Sequence, residues 1–388
     1  MKRKLIIAIL IIILILPFSI NVKNIKAQSI NEVVDEQIEN INFGELEEFI
    51  NNNNIILPNG INGFLENVEK LIKGEYSLNF SDIFSSVISI TLINVKEYLP
   101  ILLSIVVVAI LVGVIESFKS SKTTEEVSKV INAVCIIAVA ILVSNILIKF
   151  FIETKTIIET QVKLSEIMSP IIFSLMIVSG GNVSAGIYQP VVFFLTSGIM
   201  QIVQAIIFPI IIIITTLTFI GEISPEIKLN GIKDFFSSLL KWIFGIIITI
   251  FSVFITIQGL GASIFDSVSL KIAKYSLSNG IPIIGGLVKD GFDIVLCGSI
   301  LIKNSIGVTA LIILLYNVLS PIISLTVFSL SFKLIAGVIS PISSNNKISA
   351  MCTDLSKSVS YLIAVILMVS LMFFILFLFI IMSANTVL

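Results

Sequence analysis

Apolar positions along this chain come mostly in long blocks rather than in one-sided stripes. The first block, Leu5 to Phe18, follows the cationic start Met1 to Lys4, contains Pro17, and is followed by Ile25-Lys26-Ala27. That order predicts a Sec signal peptide, residues 1–27, cleaved after Ala27. An uncleaved signal anchor, which needs only a few more apolar positions, is the other reading of the same block. No cysteine follows it to suggest a lipoprotein.

Stripes replace blocks between residues 28 and 95. Glu32, Asp35, Glu36, Glu39, Glu45, Glu47 and Glu48 arrive without one Lys or Arg, so this segment belongs in water. The Asn51–Asn54 run and the Pro58-Asn59-Gly60 turn signal divide it. Beyond them Ile61, Phe64, Leu65, Val68, Leu71 and Ile72 recur at helical spacing, and Phe80, Ile83, Phe84, Val87 and Ile88 continue an apolar face. The expectation is an extracytoplasmic helical region. Its amphipathic helices would lie on the membrane surface or against a partner protein, and the pattern fits both.

From residue 97 to 388 the blocks return, and the predicted fold is all-α: a polytopic transmembrane helix bundle of about six to eight spans. Entry spans fill 98–151. The loop between them holds Lys119, Lys122 and Lys129 against Glu125 and Glu126, an excess of Lys that places it inside. Further on, Ser169-Pro170-Ile171-Ile172 is echoed about 112 residues later by Ile281-Pro282-Ile283-Ile284, and Phe208-Pro209-Ile210-Ile211 by Ser320-Pro321-Ile322-Ile323. Ser224-Pro225 and Lys241 find counterparts in Ser340-Pro341 and Lys357. Two units follow, 157–260 and 269–385, unless the match is a coincidence of Ile-rich text.

Proline removes a helix hydrogen bond, and Gly180, Gly181, Gly285 and Gly286 punctuate the same pieces. Interrupted segments at matching places in two halves are the pattern of re-entrant or broken helices. Pro170–Gly186 and Pro282–Gly298 are therefore the expected pore lining. If they are re-entrant, the spans total six; if they cross, eight. The candidate positions are Pro170, Gly180, Gly181, Pro282, Gly285, Gly286, Lys289, Asp290, Asp293 and Lys303, the last four being too polar for a lipid-facing span.

Composition narrows the chemistry. The 388 residues are 56% hydrophobic and 13% charged, with a net charge of -1, so no basic patch points to nucleic acid. Histidine is absent, which excludes His-based triads and zinc-His sites. Cys135, Cys297 and Cys352 stand apart without CxxC spacing and read as small hydrophobes. No Gly-x-x-x-x-Gly-Lys-Ser/Thr nucleotide loop occurs. Asp290 and Asp293, three apart, would share a helix face, yet a carboxylate pair without a second acidic motif in a span does not make an enzyme. No cofactor and no metal are implied. Gln201, Gln204, Asn317 and Lys333 are the polar residues deeper in the spans, while Glu116 and Lys149 lie near ends. Gln201 and Gln204 suit hydrogen bonds between helices.

The C-terminal half resembles the stage III sporulation protein AE family of endospore-forming Firmicutes. The residues that carry the likeness are Gln258-Gly259-Leu260-Gly261, then Ile281-Pro282-Ile283-Ile284-Gly285-Gly286 with Asp290 and Asp293, then Leu301-Ile302-Lys303-Asn304-Ser305-Ile306-Gly307. Phe332-Lys333-Leu334-Ile335-Ala336 and Ser340-Pro341-Ile342 extend it. The resemblance implies a membrane subunit of the transenvelope channel, or secretion-like complex, that links mother cell and forespore and sustains late forespore gene expression. It further implies a place in the mother-cell-derived outer forespore membrane, with residues 28–95 in the intermembrane space. The implied partners are the other stage III A operon proteins, including a separate secretion-type ATPase, and through them the forespore channel protein. A self-sufficient secondary transporter with broken-helix repeats is the alternative that the residues themselves suggest.

Replacing Asp290 and Asp293 together by Ala is expected to block function while leaving membrane insertion intact. Sporulation counts and membrane fractionation check this, and normal sporulation by the double variant would remove both residues from the site.

Overall fold

The computed structural model describes residues 30–39, 41–53, 64–73, 80–117, 122–223, 228–280, 285–341 and 347–383. The expected signal peptide, Pro282 and Pro225 lie outside them. Every regular element among the described residues is helical. Three short helices, α1 (Ile30–Glu39), α2 (Gly44–Asn52) and α3 (Phe64–Ile72), precede six long ones. These are α4 (Phe80–Ser117), α5 (Lys122–Val178), α6 (Asn182–Ile223), α7 (Asn230–Gly280), α8 (Gly285–Ile339) and α9 (Lys347–Met382).

Each of the six contains a stretch long and apolar enough to cross a membrane, which meets the lower of the two expected span counts. Several are longer than a bilayer needs. The stretch of α5 that holds its candidate span runs from Ala133 to Val178, about 70 Å of helix against about 30 Å of hydrocarbon.

Side-chain contacts set how the helices stand against one another. α8 and α9 form an antiparallel pair: Ser329 and Ser356 exchange hydrogen bonds near one end, with their Oγ atoms 2.8 Å apart, and Lys303 reaches the last carbonyls of α9 at the other. Gln161 of α5 donates to Ser370 of α9 at 2.8 Å. Tyr98 of α4, Phe150 of α5 and Phe328 of α8 meet edge to face, with ring centroids 4.8 to 5.9 Å apart, and Phe332 stacks on Phe328 at 4.4 Å. Phe151 of α5 touches Phe208 of α6 at 6.2 Å. Between Phe328 and its end α8 has about 16 Å left, whereas between Tyr98 and its end α4 has about 28 Å, at 1.5 Å per residue. The α4–α5 hairpin thus projects beyond the other four.

Several prolines do not break the helices that hold them. Pro170, Pro321 and Pro100 lie inside continuous helices, and Pro190 and Pro209 lie inside α6. Around Pro170 the hydroxyls of Ser169 and Ser174 bond the carbonyls of Ser165 and Pro170, keeping these polar side chains satisfied on their own helix. In α6 the backbone widens to the π form at Phe194–Ile199 and at Val203–Ile207. The second widening ends where Phe208-Pro209 resumes the α-helix, absorbing the hydrogen bond that Pro209 cannot donate. Pro170–Gly186 is therefore not a short separate hairpin: it is the closing turn between two long helices. This architecture does not by itself show the 112-residue repeat.

The amphipathic stripes before α4 also find a definite place. Val34 of α1, Leu46 and Ile50 of α2, and Phe64 and Val68 of α3 are buried within the same apolar core as the long helices. Phe43 and Phe64 rings pack at 5.6 Å. Gln37 of α1 accepts from Ser299 of α8 at 3.1 Å. α1 and α3 lie on the beginning of α8 and α2 on α5. In α1–α3 the faces expected on a membrane surface or a partner are used within the chain, because α5 and the start of α8 offer them a matching apolar surface.

Phe328 is fully buried in the aromatic cluster, while Leu330, two residues on, is 58% exposed. Phe328→Ala is expected to lower stability in detergent by about 3 kcal/mol, the lower end of the range for a buried Phe. Leu330→Ala is expected to cost far less, and thermal melts of the two variants compare them directly.

Candidate functional site: buried charges at two helix ends

At the end of the bundle that carries α1–α3, two buried charges of opposite sign sit on helix ends of opposite sign. The chain leaves α5 through a turn built on Gly180. Its φ of +86° is left-handed, and the amides of Gly180 and Gly181 return to the carbonyls of Ile177 and Met176 at 3.0 and 2.7 Å. This pairing closes a helix C-terminus wherever the next residue but one can adopt that conformation. α6 then starts at once, and Gly181 before it has no side chain to cap the first amides.

Asp266 of α7 supplies the cap instead. Its two carboxylate oxygens accept from the amides of Val183 and Ser184 at 2.8 and 3.1 Å. These are the amides that a local capping Ser or Asp would satisfy. Asp266 is 1% exposed, so the carboxylate meets the positive end of the α6 dipole with little water to screen it. One turn further along α7, Leu270 lies over Gly180: a methyl group added at Gly180 would come within 2.3 Å of it. A single face of α7 therefore both caps α6 and covers the turn that precedes it.

Lys303 plays the mirrored role at the end of α9. Its ammonium, fully buried, donates to the carbonyl oxygen of Ile381 at 3.1 Å and to that of Ser383. A cation at a helix C-terminus meets the negative end of the dipole and carbonyls that have no amide left to bond. One turn on, Gly307 lets Ile381 approach; a Cβ there would stand 2.4 Å from it. Ser383 also directs its hydroxyl at the Met176 sulfur, 3.6 Å away, and Met176 is the residue whose carbonyl closes the Gly180 turn. The ends of α5, α6 and α9 are thus joined into one cluster by side chains from α7 and α8.

Of the positions expected from sequence, Gly180, Gly181 and Lys303 belong to this cluster. Asp293 lies nearby on α8 and pairs with Lys274 of α7 at 2.8 Å; Asp290 is exposed one turn away, and Lys289 is half-buried beside it. Gly285 begins α8, and Gly286 faces open space and is not needed for close packing. Pro170 lies inside α5, short of the turn. Asp266 was missed by the sequence reading. The signal was available, since it is a lone carboxylate in the apolar run from Gly259 to Leu270, and an ionisable residue in such a run is by default a site.

Residues 63–384 match the family described as stage III sporulation protein AE. The chain belongs to that family. Its matched region covers all six long helices and α3. One similar protein is the stage III sporulation protein AE of Bacillus subtilis (strain 168), 26% identical over 345 residues, which are 88% of this chain and 80% of that protein. No solved structure is similar. This is accordingly a sporulation membrane protein, and the buried charge cluster is a feature of a family member.

Gly180→Ala is expected to destabilise the protein through both its backbone conformation and the contact with Leu270. Gly180→Ala with Leu270→Ala is expected to recover the contact part only, so the double variant should melt between the single variant and the parent. Asp266→Ala, which strips two buried amides of their acceptor, is expected to cost about 1–3 kcal/mol and Asp266→Asn less, read from the same melts.

Proposed function

We propose that this chain is a non-enzymatic membrane subunit of the transenvelope channel, or secretion-like complex, that joins mother cell and forespore and is required for late forespore gene expression. The observation that carries the reading is the family match over residues 63–384, which includes the whole membrane bundle. The protein sits in the mother-cell-derived outer forespore membrane. Its end with α1–α3 faces the intermembrane space, and the opposite end faces the mother-cell cytoplasm.

Charge distribution supports that orientation. Lys122, Lys228, Lys233, Lys347 and Lys357 gather at the end opposite α1–α3, as the positive-inside rule requires of the cytoplasmic side. There Lys233 of α7 pairs with Asp354 of α9, and Lys357 pairs with the same carboxylate at 2.9 Å. Energy for transport comes from the separate secretion-type ATPase encoded with it, and the other stage III A proteins, with the forespore channel protein, complete the conduit.

The test is deletion of the chain in its own sporulating host, with a tagged copy returned. Development is expected to stop after engulfment without the chain, and the returned copy is expected to carry the ATPase and other stage III A proteins through purification. Completed sporulation in the deletion strain, or purification of the tagged chain without any of those proteins, overturns the proposal.

A further inference from the structure

Four of the long helices are free of charge over the same depth of the bundle, and α5 is not. Between flanking charges, no Asp, Glu, Lys or Arg occurs from Asn182 to Gly221 on α6, from Trp242 to Phe265 on α7, from Asn304 to Phe332 on α8, or from Ser358 to Met382 on α9. Three contacts set α5 against these stretches. Gln161 bonds Ser370, well inside the charge-free part of α9. Glu159 accepts from Gln204, between the two π segments of α6, at 3.2 Å. Met176 meets Ser383 at the far end. Over this depth α5 carries Glu153, Lys155, Glu159, Lys163 and Glu166.

Those charges do not point into the protein. The side chains of Lys155, Glu159, Lys163 and Glu166 are 44 to 59% exposed, and among the described residues their ion pairs run along their own helix, Lys155 with Glu159 at 3.6 Å and Lys163 with Glu166 at 3.7 Å, while Gln204 adds one neutral hydrogen bond to Glu159. At the same depth on α7, placed by Lys233–Asp354 on one side and by Asp266 on the other, Ile246, Ile250 and Val253 are at least half exposed. One side of the bundle offers lipid an apolar surface while another offers it a row of alternating charges about 20 Å long. Charged side chains in a membrane protein turn to the bundle interior or to a water-filled space, not to acyl chains.

We infer that the charged face of α5 is one wall of a hydrated path at the depth of the bilayer. The path is continuous with a polar cavity of about 440 Å³ between α4, α5 and α8, where Glu97 pairs with Lys149 at 2.8 Å beside Glu153 and Asn317. Its carboxylates, Glu97, Glu153, Glu159 and Glu166, alternate with Lys149, Lys155 and Lys163 and nearly cancel, so it suits water and polar or zwitterionic solutes better than a single ion species. This wall differs from the expected lining at Pro170–Gly186, which the fold uses as a closing turn. The inference rests on how α5 stands against its neighbours and not on the identity of the sporulation complex, so the two stand or fall separately.

Thiol labelling tests it in the full-length protein in native membranes. With Cys135, Cys297 and Cys352 replaced by Ala, single cysteines at Lys155, Glu159 and Lys163 are compared with single cysteines at Ile250 and Val253, using a membrane-impermeant maleimide on vesicles of both orientations. Thiolate forms only in water, so the α5 positions are expected to react about ten-fold faster or more than the α7 positions. Equal labelling of the two sets, whether fast or absent, overturns the hydrated wall, as does an α5 set slower than the α7 set. The unsubstituted protein gives a second reading that no folding defect can obscure. A water-soluble carbodiimide with glycinamide is expected to modify Glu159 and Glu166 in the same vesicles and to spare Asp266, and protection of both glutamates overturns the inference.

Discussion

A helix that ends inside a bundle exposes amides at one end and carbonyls at the other, and away from water each of these needs a partner from elsewhere in the chain. This requirement shapes the end of the molecule that carries α1–α3. α6 begins directly after the Gly180 turn with no local capping side chain, and α9 ends with carbonyls that Lys303 reaches from α8. Asp266 and Lys303 answer the two ends with charges, each matched to the sign of the dipole it faces. Burying an unpaired carboxylate or ammonium is among the most unfavourable changes a protein interior can contain. Here the same burial becomes tolerable because aligned backbone dipoles provide the counter-charge, which ties the positions of α7 and α8 to the ends of their neighbours.

Close approach is what lets those pairs form. Gly180 beneath Leu270 and Gly307 beneath Ile381 are places where a side chain larger than hydrogen would push two helices apart. Each glycine lies one turn of the facing or the same helix from the buried charge it accompanies. Between bilayer-facing helices there is little hydrophobic drive to associate, and contact rests on packing and hydrogen bonds. Serine pairs such as Ser329 with Ser356, and the aromatic group around Phe328, supply the remaining fixed points. Together these contacts decide the depth at which each helix stands, and hence which part of α5 lies beside the apolar parts of the others.

That depth matters because α5 has two halves of different character, an apolar one toward the α4 hairpin and a charged one toward Gly180. Sliding the helix to bring its apolar half level with α6–α9 would break the bonds to Ser370 and Gln204 and separate Phe150 from Phe328. The observed arrangement keeps those contacts and places the charged half beside the charge-free stretches. The consequence is a bundle with two unlike sides, one suited to lipid and one to water, in a family whose members serve sporulation in the membrane.

Much of this was legible in the residues. The apolar blocks located the six long helices, and the ordered motifs from Gln258 to Ile342 led to the family. These are local properties: a run of apolar residues is long enough to span hydrocarbon whatever surrounds it. Gly180 and Lys303 could be nominated, but not their partners, since Lys303 acts on Ile381 and Ser383, and Asp266 acts on Val183, across distances in sequence that no periodicity records. Pro170 and Pro321 were over-read as points of breakage, because a helix held by its neighbours on either side continues through a single missing hydrogen bond. Only the tertiary structure decided that α1–α3 pack on the bundle and that α5 turns its charges outward at the depth of the apolar helices. Burial and register depend on which surfaces meet, and the sequence alone determined the surfaces without their meeting.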